Sequence, residues 1–401
     1  MVRRTSRFGG AALALFLVWA WGCSNDRTYP KPDGPPIGYW QPLPAAPVGM
    51  GPISNSTVVL AGDDYLSWSG INFSCSAQRP CPYGYALNLQ TGAWREISTL
   101  DAPNPRYDGG AIWTGTEVIV WAGDMPSATG VGFDPVLDGG AYNPSADTWR
   151  PISVEGAPSP REVFSMVWTG SEVLVWGGED ATSDSDSPPT LGDGALYDPV
   201  ADSWRPMSNQ GAPSPRTANA GVWTGQEYVI WGGVSEVSSS SDNGGTHYLD
   251  DGAAYDPVTD SWRPMSSRGA PAANSGVSSA WTGKEVLMWG GAYRETMAAY
   301  DPAADTWRSM DPAGPHLEYG SCVTWTGRYF VVCGDPEKPQ GALYDPELDH
   351  WQLMGMDGAP PSNRSGMHGY AYHGDMIVFG GIDHLSNFYD LEGYRFVIPE
   401  E

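Results

Sequence analysis

The sequence is short of positive charge. It contains 21 Lys and Arg against 47 Asp and Glu, which gives a formal net charge of −26. Because a field of this sign repels nucleic acid and anionic lipid head groups, we expect neither as a direct partner. Histidine is also scarce: six residues are scattered over the chain from His247 onward, and only His368 and His373 are near each other. HExxH, Gly-x-Ser-x-Gly and phosphate-loop motifs are absent from the sequence, so no motif indicates a catalytic class.

Long apolar runs are lacking near the N-terminus as well. The run Ala11–Trp21 is too short to serve as a stable anchor across a bilayer, and Arg3, Arg4 and Arg7 precede it. This layout predicts a signal peptide over residues 1–22. Removing its three arginines and no acidic residue would take the net charge to about −29.

The end of this segment resembles a bacterial lipobox. In such a motif, seen here as Ala20-Trp21-Gly22-Cys23, the chain is cleaved before the cysteine and a lipid is attached to its sulfur. The resemblance implies an exported protein that is lipid-anchored through Cys23 at the outer membrane or cell surface. Residues 23–38 would then be a Pro-rich tether. Ordinary cleavage near Ala20, with a secreted product, is the alternative.

A repeated unit organises the rest of the chain. The segment WTGSEVLVWGG at Trp168–Gly178 recurs as WTGTEVIVWAG, WTGQEYVIWGG and WTGKEVLMWGG, beginning at residues 113, 223 and 281. An aromatic residue closes each copy, with spacings of 55, 55, 58, 45, 44 and 43 residues between Trp94, Trp149, Trp204, Trp262, Trp307, Trp351 and Tyr394. A period in this range is the signature of a repeat architecture.

Each copy has the pattern of four short antiparallel strands. Apolar runs on either side of Thr169-Gly170 predict a hairpin, since Gly supplies the positive φ of a tight turn. Paired glycines end the second strand, and Ala195–Tyr197 is predicted as the third. Asp198–Asp202 has turn chemistry and leads to a fourth strand at Trp204–Met207. Four strands in 43–58 residues without helical periodicity indicate the blade of an all-β propeller.

The unit resembles the kelch repeat. After the paired glycines come a Tyr and a Trp with six residues between them, as at Tyr197 and Trp204. The resemblance implies a seven-bladed propeller of four-stranded blades over residues 39–401, with blades at about 39–98, 99–153, 154–208, 209–266, 267–310, 311–354 and 355–401. Members of the family often close the ring with an N-terminal strand, which favours Trp40–Leu43, but Tyr394–Ile398 competes for the same position. Most of the 19 Trp and 20 Tyr fall at repeated strand positions, so we expect them in the core between blades.

The cysteines are few and odd in number. Of five, Cys23 is assigned to lipid, and the other four can pair in an oxidising compartment. Cys75 and Cys81 share one loop of the first blade. In blades two to five a small residue is predicted to face a tryptophan across the hairpin, at Gly110 and Trp121, Ser165 and Trp176, Ala220 and Trp231, and Ser278 and Trp289. Blade six has Cys322 and Cys333 at these two positions, so we predict a disulfide between them.

A ring of polar residues is predicted at the mouth of the central channel. The position seven residues before the end of each first strand holds Ile53, Arg106, Arg161, Arg216, Asn274, Glu318 and, one place out of register, Arg364. The three neighbouring arginines would suit a carboxylate ligand, because each guanidinium offers a planar bidentate fork. Alternatively, these arginines cap the strands that follow them or pair with the neighbouring acidic loops.

The longest loops lie at 124–138, 179–193 and 235–251, on the same predicted face as the ring, and they are rich in acidic residues and Ser. Carboxylates of this kind could hold Ca²⁺, and the candidate sets are Asp184, Asp186 and Asp193, or Asp242, Asp250 and Asp251. Neither set has an ordered ligand spacing, so solvated loops without a resident metal or cofactor are the simpler interpretation.

Taken together, these patterns predict a non-enzymatic module that binds a protein, or an acidic glycan or peptide, through the loop-rich face. We expect it to act as a monomer. The alternative is a carbohydrate-modifying enzyme in the channel mouth, because kelch-type propellers include a sialic-acid mutarotase and a copper radical oxidase. The oxidase requires a cysteine cross-linked to tyrosine, and each cysteine here has another expected role.

Overall fold

The computed structural model of the chain describes residues 32, 34–47, 57–70, 83–127, 133–183, 185, 188–235, 247–291, 296–314, 322–333, 340–360, 364–365, 367–380, 382–383, 388–389 and 392–399. The regular elements in this part of the chain are β-strands. Among these residues, no helix has the length and hydropathy needed to cross a membrane.

The described strands form seven four-stranded antiparallel sheets, arranged as the blades of a β-propeller. The predicted all-β, seven-bladed fold is thus confirmed. In the order first, second, third and outer strand, the blades are Thr57–Ala61, Asp64–Trp68, Gly84–Asn88, Trp94–Glu96; Gly110–Trp113, Val118–Trp121, Gly139–Asn143, Thr148–Pro151; Ser165–Trp168, Val173–Trp176, Gly194–Asp198, Ser203–Pro206; Ala220–Trp223, Tyr228–Trp231, Gly252–Asp256, Ser261–Pro264; Ser278–Trp281, Val286–Gly290, Thr296–Asp301, Thr306–Ser309; Val323–Trp325, Phe330–Val332, Ala342–Asp345, His350–Leu353; and His368–Tyr372, Asp375–Phe379, Gly393–Val397, Tyr39–Pro42.

The second strand of each blade explains much of the sequence pattern. Val173–Trp176 is buried along its whole length and rich in β-branched residues, as a strand covered on both faces requires. The small residues predicted to face tryptophans do so: Ser165 pairs with Trp176 and Ala220 with Trp231, and blades two and five repeat the pairing. A small residue on the first strand leaves room there for a large buried indole.

In blade six a disulfide between Cys322 and Cys333 occupies this cross-strand position. The Cα atoms are 5.2 Å apart, and the Cys333 amide donates to the Cys322 carbonyl at 2.9 Å. Both residues are buried with Met376 in the core between blades six and seven. The repeat alignment therefore located this pair correctly, whereas Cys23, Cys75 and Cys81 lie outside the described residues.

Replacing Cys333 with alanine should lower the free energy of unfolding by about 2–3 kcal/mol, because the bond restricts the unfolded chain across a short loop. Denaturant unfolding of the two proteins measures this difference. Thiol labelling of the unreduced wild-type chain in denaturant is the control. Modification of Cys322 or Cys333 there would contradict the pairing.

The N-terminal strand closes the ring. Tyr39–Pro42 forms the outer strand of blade seven and pairs antiparallel with Gly393–Val397, which places Trp40 opposite Phe396. The two ring centroids lie 5.0 Å apart, close to the spacing of the Tyr and Trp pairs in the other blades. Residues at opposite ends of the described chain thus complete one sheet.

Two sequence assignments at the closure need correction. Tyr394 was aligned with the closing tryptophans, but it lies on the third strand of blade seven, opposite Val378. Tyr39–Pro42, grouped by sequence with residues 39–98 of the first blade, belongs to the last one. The last repeat also contains Tyr389, five residues before Tyr394. It lies in a small separate sheet formed by Arg364–Ser365, Ile382–Asp383 and Phe388–Tyr389.

Tryptophans join consecutive blades. The second-strand tryptophan of one blade packs against the outer-strand tryptophan of the next, with Trp121 and Trp204 at 5.3 Å between centroids and Trp231 and Trp307 at 4.6 Å. The outer-strand indole also donates a hydrogen bond to the preceding blade, from Trp204 Nε1 to the Ser153 carbonyl at 2.7 Å. The repeated aromatic residues therefore form the contacts between blades.

A polar network accompanies these contacts. Glu172 accepts two hydrogen bonds from Arg205 at 2.7 Å each, and Arg205 also donates to a carbonyl of the next blade. In that next blade Asp260 accepts from the Tyr255 hydroxyl and from the Ser208 amide of blade three. These two bonds hold the pKa of Asp260 below its ordinary value. The network fixes each blade relative to its neighbour.

Candidate functional site

The two faces of the propeller differ in what they carry. The hairpin face has the turns between first and second strands, such as Thr169–Glu172, and those between third and outer strands. The loop face has the connections between second and third strands and those between blades. The described parts of the long loops 124–138, 179–193 and 235–251 lie on the loop face, as do the three arginines of the predicted ring.

Short strands continue the blades into these loops. In blade two Asp124–Pro126 pairs with Phe133–Pro135, and in blade three Arg161–Glu162 pairs with Glu179–Asp180. The Thr190 hydroxyl of blade three donates to a blade-four carbonyl at 2.6 Å, which links two loops. We define the loop platform as residues 124–127, 133–138, 179–183, 188–193, 234–235 and 247–251.

Arg161 is completely enclosed at the base of this platform. Its side chain has no exposed surface. Nε donates to the Ser159 carbonyl at 2.9 Å, one terminal nitrogen donates to the carbonyls of Gly177 and Asp193, and the other donates to Ser159 Oγ and the Asp193 carboxylate. All five N–H groups of the guanidinium therefore have protein acceptors. Burial lowers the pKa of Arg161, and the charge of Asp193 opposes that change.

The same arrangement recurs in the neighbouring blades. Arg216 donates to the carbonyls of Gly232 and Asp251 and to the Asp251 carboxylate, and Arg106 donates to equivalent groups of Ala122 and Asp138. In each blade one arginine thus holds both ends of the long loop, immediately after the second strand and immediately before the third. We call Arg106, Arg161 and Arg216 the clamp arginines.

Blade five has a shorter loop and an asparagine at the clamp position. Asn274 donates from Nδ2 to the Gly290 carbonyl at 3.1 Å and to Thr296 Oγ1 at 2.9 Å, so it spans the same two loop ends. The recurrence of this role in four blades favours the structural alternative for these residues. With their donors directed inward, the clamp arginines present no exposed fork to a ligand, and an acidic ligand there stays a proposal.

The remaining ring positions are described less fully. Ile53 and Glu318 lie outside the described residues. Arg364 forms a strand pair with Asp383, which matches the pairing of Arg161 with Asp180. Its backbone is therefore in register with the clamp arginines, so the one-place offset assigned from sequence is wrong.

The loop platform is strongly acidic. Its residues include eight Asp and Glu and neither Lys nor Arg. Among them, Asp134, Asp250 and Asp251 are exposed. Because the clamp arginines beneath them are buried, the surface offered to a partner carries negative charge. Each clamp arginine pairs with an Asp of its own loop, which is one of the two alternatives that the sequence left open.

One carboxyl group near the clamps has an unusual proton affinity. Asp108 lies two residues after Arg106, in the left-handed region with φ 51°. Burial, reinforced by the charge of Glu162 in the next blade, raises the pKa of Asp108 to about 6. A carboxyl group with this pKa can exchange a proton near neutral pH.

Metal and histidine chemistry find little support in the described part of the chain. There, no group of three or more His, Cys, Asp or Glu side chains could hold a metal ion. Asp193 and Asp251 bond to clamp arginines instead, and Asp184, Asp186 and Asp242 lie outside the described residues. His373 contacts Asp63 at 3.5 Å where blade seven meets blade one.

The aspartates that complete the clamps were missed as partners in the sequence. Asp138, Asp193 and Asp251 each precede the glycine that begins a third strand, and blades two to four share this Asp-Gly pair together with the arginine. Their joint recurrence was the available signal. The two residues are 32 to 35 positions apart, so only the folded loop shows that they meet.

Seven four-stranded antiparallel blades define a seven-bladed β-propeller. Residues 55–291 match the family model of the KLHDC2/KLHL20/DRC7 Kelch-repeats domain. This match covers more than half of the chain, and the chain belongs to the kelch-repeat family.

Proposed function

We propose that this chain is a non-enzymatic protein-binding module that holds its partner on the loop platform. Kelch domains generally mediate protein interactions. The observation that carries the proposal is the anchoring of the three long loops, whose two ends are each held by a buried clamp arginine. Loops fixed in this way lose little conformational entropy when a partner binds, which favours a defined binding surface.

The charge of the platform supports a class of partner. Exposed acidic side chains such as Asp134 and Asp250 lie on this face, and we therefore propose a partner surface that presents Lys or Arg. Complementary charges accelerate encounter and discriminate against acidic competitors, and both effects weaken as salt is raised. An acidic glycan or peptide, the ligand suggested by the arginines, has weaker support because the clamp donors are already bonded.

The cellular setting forms part of the same proposal. The sequence around Cys23 supports export and lipid attachment, with a secreted form as the alternative, and it lies outside the described residues. A monomer tethered to an envelope through residues 23–38 would present its loops to partners outside the cytoplasm.

An enzyme acting in the channel mouth is the second candidate. Its supporting observation is Asp108, whose pKa of about 6 suits a group that accepts and returns a proton. A carbohydrate-modifying reaction would also need groups that orient the sugar, and the clamp arginines are bonded within the protein. Incubation of the full chain with sialic acid and neutral hexoses, followed by NMR of the anomeric protons, tests this candidate directly.

Site-specific photo-cross-linking in producing cells tests the binding module. A benzoylphenylalanine at Leu137 reports on the platform, since this side chain is 52% exposed on the loop face. The same substitution at Leu348, 73% exposed on the hairpin face, is the matched control. We expect a discrete protein adduct from position 137 and none from position 348. Introducing Asp134→Lys and Asp250→Lys together should remove the adduct.

Two outcomes would refute the proposed module. Equal adducts from both positions would show that contact is nonspecific. An adduct that survives the two charge reversals would show that platform charge does not recognise the partner.

A further inference from the structure

The hairpin face carries two grooves that are related by one blade. One lies between blades three and four and has a volume of about 580 Å³, and the other lies between blades two and three with about 450 Å³. Both volumes fall in the range of sites that hold small ligands. They lie on the opposite face from the loop platform, so any role for them is independent of the protein-binding proposal.

The two grooves are lined by equivalent residues. The first contains Trp223 with Pro257 and Val258, and the second contains Trp168 with Pro199 and Val200. Each indole is half-buried, because one side packs on the core between blades. Val258 and Val200 are 91% and 94% exposed, although most side chains of this type are buried. Each groove thus has an apolar floor with an exposed apolar rim.

Carboxylates are prominent among the polar groups of the grooves. Asp256 lines the first groove and Asp198 the second, and each accepts hydrogen bonds from the backbone of its own turn. Glu172 and Glu227 line the walls, and each is paired with an arginine of its own blade at 2.7 and 2.6 Å. Those carboxylates keep acceptor sites beyond the ones the arginine uses. Hydroxyl and amide groups from Thr169, Ser171 and Gln226 complete the lining of the larger groove. The grooves therefore offer many hydrogen-bond acceptors and repel anionic ligands, which suits a neutral ligand that carries hydroxyl groups.

The two equivalent grooves favour a ligand that is built from repeated, equivalent units. Two equivalent sites in tandem recognise two equivalent units, which a homopolymer supplies. A sugar ring has an apolar face of C–H groups that fits an indole, and a rim of hydroxyls that fits carboxylate, hydroxyl and amide groups. We infer that the grooves at Trp168 and Trp223 are tandem subsites for a neutral oligosaccharide. One sugar unit occupies each groove, and the exposed valines contact the linkage between them.

The next blade provides a natural control. Blade five has the same turns, but Lys284 replaces Gln226 and Ala303 replaces Val258 at the equivalent positions. Trp281 remains, and it packs on the adjacent core as Trp223 does. Lys284 adds a positive charge in place of an amide, and the side chain of Ala303 is too short to form the exposed apolar rim. Both changes make this position less suited to a neutral sugar. We therefore assign no subsite to the position between blades four and five.

Isothermal titration with neutral homo-oligosaccharides of glucose, mannose, galactose and N-acetylglucosamine tests the inference. The full chain is titrated with chains of one to eight units. We expect one series to bind, with affinity rising steeply once the chain spans both grooves. Val200→Asp or Val258→Asp should each weaken the longest member by about 10- to 100-fold, because one linked site is lost. The double variant should show no heat of binding.

Ala303→Asp is the matched control, since it introduces the same charge at the same turn position of blade five. It should change the affinity by less than about twofold. Failure of all four series to bind would overturn the inference, as would equal losses in the control and in the groove variants.

Val200 and Val258 are highly exposed, so their replacement should leave the fold intact, which thermal unfolding verifies. Loss of the platform's protein adduct in the Val258→Asp variant would instead assign the groove to the protein partner and overturn the inference.

Discussion

Replacing Arg161 with methionine should lower the free energy of unfolding by about 3–5 kcal/mol. Methionine approximates the length of the side chain but donates no hydrogen bonds. The carbonyls of Ser159, Gly177 and Asp193 would therefore each lose a hydrogen bond from a side chain that is fully buried, and the bond to Gly177 is itself buried. Equilibrium unfolding in denaturant, followed by tryptophan fluorescence, measures the loss.

Arg205→Met is the control for this prediction. Arg205 lies in the same blade and also pairs with a carboxylate, Glu172, but its side chain is 39% exposed. This pair is bidentate but partly exposed, so its loss should cost about 1–2 kcal/mol, clearly less than the loss of the buried clamp. The Arg161→Met variant should also be cleaved faster by proteases within residues 179–193, because both ends of that loop lose their hydrogen bonds to the arginine and keep only their backbone bonds. Equal stability losses in the two variants would refute the special role of the clamp.

Gly178→Ala should also destabilise the protein, by about 3 kcal/mol or more. Gly178 is the second glycine of the repeated pair and has φ of +100°. A Cβ atom there would lie 2.6 Å from the Glu162 carbonyl oxygen and 3.0 Å from Phe164 Cβ. The substitution therefore combines an unfavourable backbone conformation with a collision against the neighbouring strand. Thermal unfolding and denaturant unfolding both report the effect.

Gly170→Ala separates the two causes. Gly170 has the same φ of +100°, but a Cβ atom added there has no neighbour within 4 Å. This variant should lose only the conformational part, about 1 kcal/mol. A similar loss in both variants would mean that the close approach at Gly178 contributes nothing. The comparison tests why the paired glycines recur at the ends of second strands.

The strands and their pairings were predictable because their signals are local and repeated. Ser165 and Trp176 are eleven residues apart in one hairpin, so an alignment of repeats is enough to place them opposite each other. The pair Cys322 and Cys333 follows from the same register. The alternation of side chains between the two faces of each strand, seen in several repeats, leaves few possible registers for each strand pair. A slip of one residue would turn every side chain to the other face of the sheet.

The role of the arginines could not be settled in this way. Arg161 is an exposed binding group or a buried clamp according to whether Asp193, 32 residues later, folds back over it. A one-dimensional alignment correctly placed this residue before the first strand. It contained no information on solvent exposure, so an exposed site for an anionic ligand and pairing with the acidic loops both stayed open.

By itself, the sequence determined the repeat, the four-stranded pattern of the first six blades, the number of blades and the disulfide of blade six, because each follows from signals within the repeated unit. Only the tertiary structure decided that Tyr39–Pro42 closes the ring and that the clamp arginines are buried. It also brought together the two grooves on the hairpin face from separate blades. These features join residues that are distant along the chain, and their geometry exists only after the blades have packed against one another.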